Sequence, residues 1–297
     1  MTTSTPTFAG AVVTGTVADL GYRLDAERRA GRSVGVVLTM GALHDGHASL
    51  IGRAVAECDV VVVSVFVNPT QFADPGDLTN YPRTLESDLE VAGRAGADLV
   101  FVPSVTEVYP DWPVPAATQV RVSALGDRWE GRSRPGHFDG VATVVVKLLS
   151  MAGRCRTYFG EKDFQQLAIV RRVVRDLSLP VEVVGCPTVR EPDGLAMSSR
   201  NQRLDPAERS AAVCLSRALA AGAAAFIAGG DRAAVEATMA GVVADERLAT
   251  LDYAVLVDAD DLEPAESVTP DRPVRLLIAA RVGPVRLIDN LDPRAGR

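Results

Sequence analysis

The chain has 297 residues, 47% of them hydrophobic and 23% charged, with a formal net charge of −7. This is the composition of a globular protein long enough for a full core and two domains. It argues against the clustered basic surface of a general nucleic-acid binder, and no apolar run approaches the roughly 18 residues of a membrane helix.

Residues 1–15 read as a loosely ordered lead-in without the basic start and apolar core of a secretory leader. Thr16–Ala30 reads as a helix capped by Thr16 and ended by Gly31. Val34–Leu38 has the length and β-branched content of a buried parallel strand. It stops at Thr39-Met40-Gly41, where glycine lets the backbone turn and lets a ligand approach. Two of the chain's three histidines follow, His44 and His47, with Gly46 between them. Ala48–Glu57 is the next predicted helix and Asp59–Asn68 the next strand, followed by Pro69-Thr70-Gln71-Phe72 and a polar Gly/Pro-bearing loop. Phe72–Arg83 is a candidate lid. A helix over Thr84–Ala95 and a strand over Asp98–Pro103 complete a β-α-β-α-β order, which implies a parallel sheet with right-handed crossovers.

Ser104–Gly136, rich in Pro, Gly and charge, reads as a meandering insertion ending in EGRSRPGHF. Beyond it come an apolar helix (Val141–Met151), a strand (Cys155–Gly160), a helix (Glu161–Leu177) and a strand (Pro180–Cys186). Composition shifts near Leu195 to Ala-rich helices, Asp205–Ala228 and Asp231–Asp245. Leu251–Asp258 and the pair VRLLIAARVG/PVRLIDN then form an antiparallel unit turning at Gly283-Pro284. The expected fold class is α/β: a Rossmann-like parallel-sheet domain over 1–188 and a smaller C-terminal α+β domain over 189–297. The four cysteines form no CxxC pair; Cys58, Cys155 and Cys186 sit in or beside apolar runs and are expected as buried thiols in a reducing cytoplasm.

Several stretches could carry chemistry. His44-Asp45-Gly46-His47 at a helix start can donate to phosphate oxygens, helped by unsatisfied amides and the positive end of the helix dipole. A purely structural histidine pair, or half a zinc site with His137, remains open at this level. Gly160-Glu161-Lys162-Asp163, with Gln166 one turn on, could hold phosphate through Lys162 or be a solvated helix start. Met197-Ser198-Ser199-Arg200-Asn201 offers hydroxyls and a guanidinium fork to an oligophosphate, or is a hinge whose serines cap the next helix. Gln71 and Gln166 can grip a small hydroxy-carboxylate without adding charge. Arg134-Pro135-Gly136-His137-Phe138 is a further candidate, or a turn. These segments follow predicted parallel strands, whose carboxyl ends are where open α/β sheets bind ligands. Neither GxxxxGK[ST] nor GxGxxG is present.

The motifs TMGALHDGH, FVNPTQF, YPRT, EGRSRPGHFDGV, YFGEKDFQQL, PTVRE, DGLAMSSRN and RLIDN occur in this order. Together they closely resemble the pantoate–β-alanine ligase family of the nucleotidyltransferase superfamily, over nearly the whole chain. The resemblance implies a two-step reaction. Pantoate's carboxylate attacks the α-phosphorus of ATP, releasing pyrophosphate, and β-alanine then attacks the pantoyl adenylate, releasing AMP. It implies an ATP site of Thr39, Met40, Gly41, Ala42, Leu43, His44, Asp45, Gly46, His47, Gly160, Glu161, Lys162, Asp163, Val189, Met197, Ser198, Ser199 and Arg200. Among these, His44, His47, Lys162, Ser198, Ser199 and Arg200 carry catalysis. It also implies pantoate and β-alanine contacts at Gln71, Gln166, Met40, Arg134 and His137, a need for Mg²⁺ with ligands unassigned, and a cytoplasmic homodimer. Arg203 stands where the family often has an aromatic, and Cys186 where it usually has Val. The acidic stretch Glu86-Ser87-Asp88 only partly matches the family's possible metal contacts. A related nucleotidyltransferase with another acceptor, and a nucleotide sensor without catalysis, are the competing readings.

Overall fold

The computed structural model describes residues 7–72, 75–265 and 272–295. In chain order the first half runs β1 (Thr7–Phe8), β2 (Ala11–Thr14), α1 (Val17–Arg29), β3 (Val34–Thr39), α2 (Asp45–Glu57), β4 (Val60–Val65), α3 (Pro75–Thr79), α4 (Leu85–Arg94) and β5 (Leu99–Phe101). Next come α5 (Val105–Val108), α6 (Trp129–Ser133), α7 (His137–Ala152), β6 (Cys155–Gly160), α8 (Phe164–Asp176) and β7 (Val181–Cys186). The chain ends with α9 (Pro206–Ala211), α10 (Cys214–Ile227), α11 (Arg232–Ala244), β8 (Ala249–Asp258), β9 (Val274–Val282) and β10 (Val285–Leu291).

Two compact units result. The first holds 1–127, 131–160 and 169–186; the second holds 128–130, 161–168 and 187–297, so the division passes through α6 and α8.

The first unit is built on a sheet of order β1-β2-β5-β4-β3-β6-β7, six strands parallel and the edge strand β1 antiparallel. Both faces of a parallel sheet are covered, so its strands are apolar throughout. β4, Val-Val-Val-Val-Ser-Val, is buried at all six positions. Ile51 and Ala54 of α2 and Leu89 and Ala92 of α4 pack in one cluster with Val37, Val61, Val63 and Val100 of the sheet. Strand order reverses between β3 and β6, which pair directly; this is the switch point at which such sheets hold ligands.

The second unit is a three-stranded antiparallel sheet, β10-β9-β8, with α10 and α11 packed on it. Leu215, Leu219, Val235, Met239, Leu256, Leu276 and Ile278 are buried together. β9 and β10 turn at Gly283-Pro284, as the turn signal requires.

Several boundaries differ from the sequence reading. Residues 7–14 form β1 and β2, and β2 completes the sheet beside β5; four residues of Ala-Val-Val-Thr are too few for periodicity to register. Residues 1–6 of the expected lead-in, and 73 and 74 of the candidate lid, lie outside the described residues. The rest of that stretch contains α3, whose end carbonyls at Leu78 and Thr79 accept from Arg83. The Ala-rich run is two helices, α9 and α10, parted at Ala212 and Val213. Taken as one segment, Pro206–Ile227 spans 22 residues at mean hydropathy 1.6, long and apolar enough to cross a membrane. That corrects the expectation that no run approaches such a length. The apolarity has a place in the fold: Leu215, Ala218 and Leu219 are core residues of the second unit. Cys155, Cys186 and Cys214 are buried free thiols, while Cys58 is only half-buried.

Candidate active site

Where β3 ends, the chain makes a turn that no ordinary backbone would choose. Gly41 has φ +84° and Ala42 φ +52°; the second is a left-handed conformation costing a non-glycine residue about 1–2 kcal/mol. The compensation is Asp88 of α4, which is 1% exposed. Its Oδ1 accepts the amide hydrogen of Leu43 at 2.8 Å and its Oδ2 that of Ala42 at 3.2 Å, and Thr84 donates its hydroxyl to Oδ1. Thr39 anchors the turn from below, donating to Ser64 O at 2.7 Å and accepting from Gly41 N.

The helix after this turn begins three residues earlier than the apolar pattern suggests. His44 is its N-cap and His47 its third residue. Nδ1 of His44 accepts from Gly46 N at 3.1 Å, and Nδ1 of His47 accepts from His44 N at 3.2 Å. This is a capping box built from imidazoles rather than from Ser and Glu. An Nδ1 that accepts carries no hydrogen, so each neutral ring is an Nε2–H donor. The rings stand 4.2 Å apart at the positive end of α2.

After β4, Asn68 and Gln71 frame a single 3₁₀ turn, Pro69–Gln71. Asn68 is 1% exposed and fully engaged. Its Nδ2 donates to Gly140 O and to Gln71 Oε1 at 3.0 Å, and its Oδ1 accepts from the hydroxyls of Tyr109 and Thr70. A backbone carbonyl only accepts, so Gly140 O fixes which end of Asn68 is the amine, and that in turn fixes Gln71. The Gln71 amine then points at Met40 Sδ, 2.9 Å away. Burial pushes the Tyr109 phenol up, keeping it a donor. On the other side, His137 Nδ1 lies 2.9 Å from Gln71 O and its Nε2 lies 3.0 Å from Arg134. Since arginine can only donate, this histidine has the opposite tautomer, with the hydrogen on Nδ1. Met40, Gln71, His137 and Arg134 therefore form one chain of contacts in the first unit. Arg134 and His137 hold the turn that carries Gln71.

In the second unit, Glu161–Asp163 forms a 3₁₀ turn leading into α8. Lys162 lies 3.7 Å from Asp163. The backbone of this turn is held by Asn290, whose Nδ2 donates to Glu161 O and Lys162 O, both at 2.8 Å. Of the tandem glutamines, Gln165 is buried, accepting from Glu130 N and donating to Arg128 O, while Gln166 is half-buried. Val189 and Met197 are brought together by Met197 N donating to Val189 O, in a hairpin that turns at Gly194. Arg190 within it pairs with both oxygens of Asp289 at 2.7 and 2.9 Å. Ser198 caps the short turn Ser199–Arg203 by accepting from Arg200 N, while the helix that follows, α9, is capped by Asp205.

The sequence-derived residues thus fall into two sets. His44, His47, Met40, Gln71, Arg134 and His137 lie in the first unit; Lys162, Gln166, Val189 and Met197–Arg200 lie in the second. Asn68, Tyr109 and Asn290 were not singled out from sequence, and Asp88 entered only within the acidic stretch weighed for metal contacts, not as the acceptor that holds the Ala42 and Leu43 amides. Asn68 reaches Gly140 O 72 positions on, Tyr109 reaches Asn68 across 41 positions and Asn290 reaches carbonyls 128 and 129 positions away, and no local spacing signals such partners.

The profile of the Pantoate-beta-alanine ligase family matches residues 12–292. Pantothenate synthetase from Salinispora arenicola is 52% identical over 266 residues, covering 88% of this chain and 90% of that one. Among solved structures, pantothenate synthetase from Thermus thermophilus superposes with a TM-score of 0.87 at 46% identity, over 95% of this chain and 99% of that chain. Pantoate-beta-alanine ligase from Francisella tularensis, solved as a complex with beta-gamma ATP and beta-alanine, superposes with a TM-score of 0.76 at 32% identity, over 96% and 99% of the two chains.

Proposed function

The chain belongs to the pantoate–β-alanine ligase family, and from that premise we propose that it condenses pantoate with β-alanine at the expense of ATP, through a pantoyl adenylate. The observation that carries this reading within the family is the pairing, on one unit, of a helix start presenting two Nε2–H imidazoles with a buried, orientation-fixed Gln71 joined to it through Met40.

In the first step a carboxylate oxygen of pantoate forms a bond to the α-phosphorus, the bond to the β-phosphate oxygen breaks, and pyrophosphate leaves. Charge spreads over the phosphoryl oxygens, so positioned donors suffice and no protein nucleophile is needed. His44 and His47 supply such donors at the helix start. Lys162, Ser198, Ser199 and Arg200 supply a cation, two hydroxyls and a guanidinium for the remaining phosphates. The backbone of Met40–Leu43, Asp45-Gly46 and Val189 borders the nucleotide. Gln71 and Gln166 hold pantoate, with Arg134 and His137 acting behind Gln71. In the second step the β-alanine amine attacks the acyl carbon, the bond to the phosphate oxygen breaks, AMP leaves, and the amine gives up a proton.

Magnesium enters as the ATP complex. Among the described residues no group of three His, Cys, Asp or Glu side chains could hold a metal. Asp88, the acidic residue nearest the turn, already accepts from two amides and Thr84. The protein's own contacts to the ion stay unassigned, and the ATP phosphates would supply oxygen ligands to it. A nucleotide- and pantoate-binding body over 1–188, a smaller lid domain over 189–297, a closing loop drawn from Phe72–Arg83 and a cytoplasmic homodimer complete the reading by family analogy.

The test is pyrophosphate release from ATP, Mg²⁺ and pantoate, with and without β-alanine. One equivalent per site without β-alanine, and continuous AMP formation with it, are expected. Nucleotide binding with no pantoate-dependent pyrophosphate release would overturn the acceptor assignment.

A further inference from the structure

RLIDN, residues 286–290, matches the family but contributes no residue to the site proposed above. In the second unit three of its five side chains reach segments that flank proposed site residues. Arg286 pairs with both oxygens of Glu130, next to the Arg128 carbonyl that orders Gln165. Asp289 pairs with Arg190, beside Val189. Asn290 makes the most specific contact of the three, since its one amine meets two successive carbonyls, those of Glu161 and Lys162.

Asn290 is 2% exposed, and every polar atom of its side chain is engaged. Its Oδ1 accepts from Arg275 Nε at 2.7 Å, so the amide cannot turn over without setting amine against guanidinium and oxygen against carbonyls. Arg275 in turn pairs with the Glu161 carboxylate at 2.9 Å and lies over the Phe164 ring at 4.5 Å. The turn Glu161–Phe164 is thereby gripped at its backbone, at its first side chain and at its last. Lys162 stands in the middle with its side chain 18% exposed and its ammonium 3.7 Å from Asp163. The base of that lysine is held by these contacts, while its head is partly exposed.

We infer that Asn290, clamped by Arg275, is a positioning residue for adenylation: it fixes the backbone from which Lys162 reaches the transferring phosphates. The inference rests on the reading of Lys162 as a phosphate ligand. Misplacing a catalytic group by about an ångström costs on the order of a hundredfold in rate, and the second half-reaction, which breaks no bond between phosphates, should be spared.

The experiment compares wild type, Asn290→Asp, Lys162→Ala and the double variant of the full chain. Two rates are measured: pyrophosphate release from ATP and pantoate, and pantothenate formation from supplied pantoyl adenylate and β-alanine. Asp keeps the acceptor for Arg275 and removes both donors. Asn290→Asp is expected to lower kcat of pyrophosphate release at least tenfold with less than a threefold change in KM for ATP. Turnover of supplied adenylate should stay within twofold. In the Lys162→Ala background the same change should alter pyrophosphate release less than twofold, because the two residues act as a unit.

Equal losses in both half-reactions, or an undiminished effect without Lys162, would overturn the inference. If Lys162→Ala is impaired and Asn290→Asp is silent, the inference alone fails. If Lys162→Ala is silent, the reading of Lys162 fails and the inference with it. Should Asn290→Asp not fold, Arg275→Gln loosens the same turn with the amide retained, and must show the same split between half-reactions.

Discussion

His44 and His47 cap one helix between them: the Nδ1 of His47 accepts the amide hydrogen of His44, whose own Nδ1 accepts from Gly46. The same bonds that start α2 assign the tautomer of both rings, and they decide what a substitution there removes.

His44→Ala should lose both the cap and the donor, and His44→Asn only the donor, since asparagine is among the best N-caps. The alanine variant is expected to be about 1 kcal/mol less stable, with the asparagine variant near wild type. Both should lose adenylation by about a hundredfold, the usual cost of one preorganised donor. Urea unfolding and pyrophosphate release measure the two effects separately.

Asp88→Asn replaces one acceptor oxygen with an amine facing the amides of Ala42 or Leu43. Leaving a buried amide unpaired costs about 1–3 kcal/mol, and the left-handed Ala42 loses its restraint. Gly41→Ala should fall in the same range, because its Cβ would meet Asp88 Oδ2 at 2.9 Å in a backbone of φ +84°. For both, KM for ATP should rise more than KM for pantoate in steady-state titrations.

Gly140→Ala tests the other substrate. A Cβ there would overlap Thr70 O and lie 2.8 Å from the Cα of Gln71. Overpacking of this kind costs about 1–3 kcal/mol and must push the turn that carries Gln71. KM for pantoate should rise while ATP binding, followed by nucleotide titration, stays near wild type.

Burial pushes the Cys155 thiol from an ordinary 9.0 up to about 12 and the Cys214 thiol up to about 11. The folded chain keeps protons that the unfolded chain releases above about pH 9. The stability they contribute is full below that pH and is lost as pH rises toward 11 and 12. The buried phenols of Tyr109 and Tyr253 act in the same sense. Unfolding midpoints should fall between pH 8 and pH 11, less steeply in Cys155→Ala and Cys214→Ala. Native-state alkylation at pH 8 should label Cys58 before either.

β3, β4 and β7 were legible as β-branched runs, and β5 and β6 as short runs with apolar or aromatic residues, bounded by turn residues; Gly283-Pro284 marked the C-terminal hairpin. β2 was not legible: four residues at the sheet margin gain their strand character from pairing with β5. The start of α2 was misplaced because histidine is not an expected cap. The residues proposed for the site came from sequence motifs. The contacts that hold them were not legible, since Asp88 acts on amides 45 and 46 positions away and Asn290 on carbonyls 128 and 129 positions away. The RLIDN motif and the acidic stretch at Glu86–Asp88 marked these segments, but which backbone each residue holds is set by the fold and by nothing local in the sequence.

A glutamine amide is nearly symmetrical in outline, and one free to turn would offer a ligand either a hydrogen or a lone pair. At Gln71 that freedom is gone, because Asn68 occupies the oxygen and is itself oriented by a carbonyl of α7. What faces Met40 is always the amine. With Gln71 in its proposed role against pantoate, discrimination between a hydroxy acid, which brings oxygens, and an amino analogue, which brings an ammonium, would be decided by a bond that the ligand never touches.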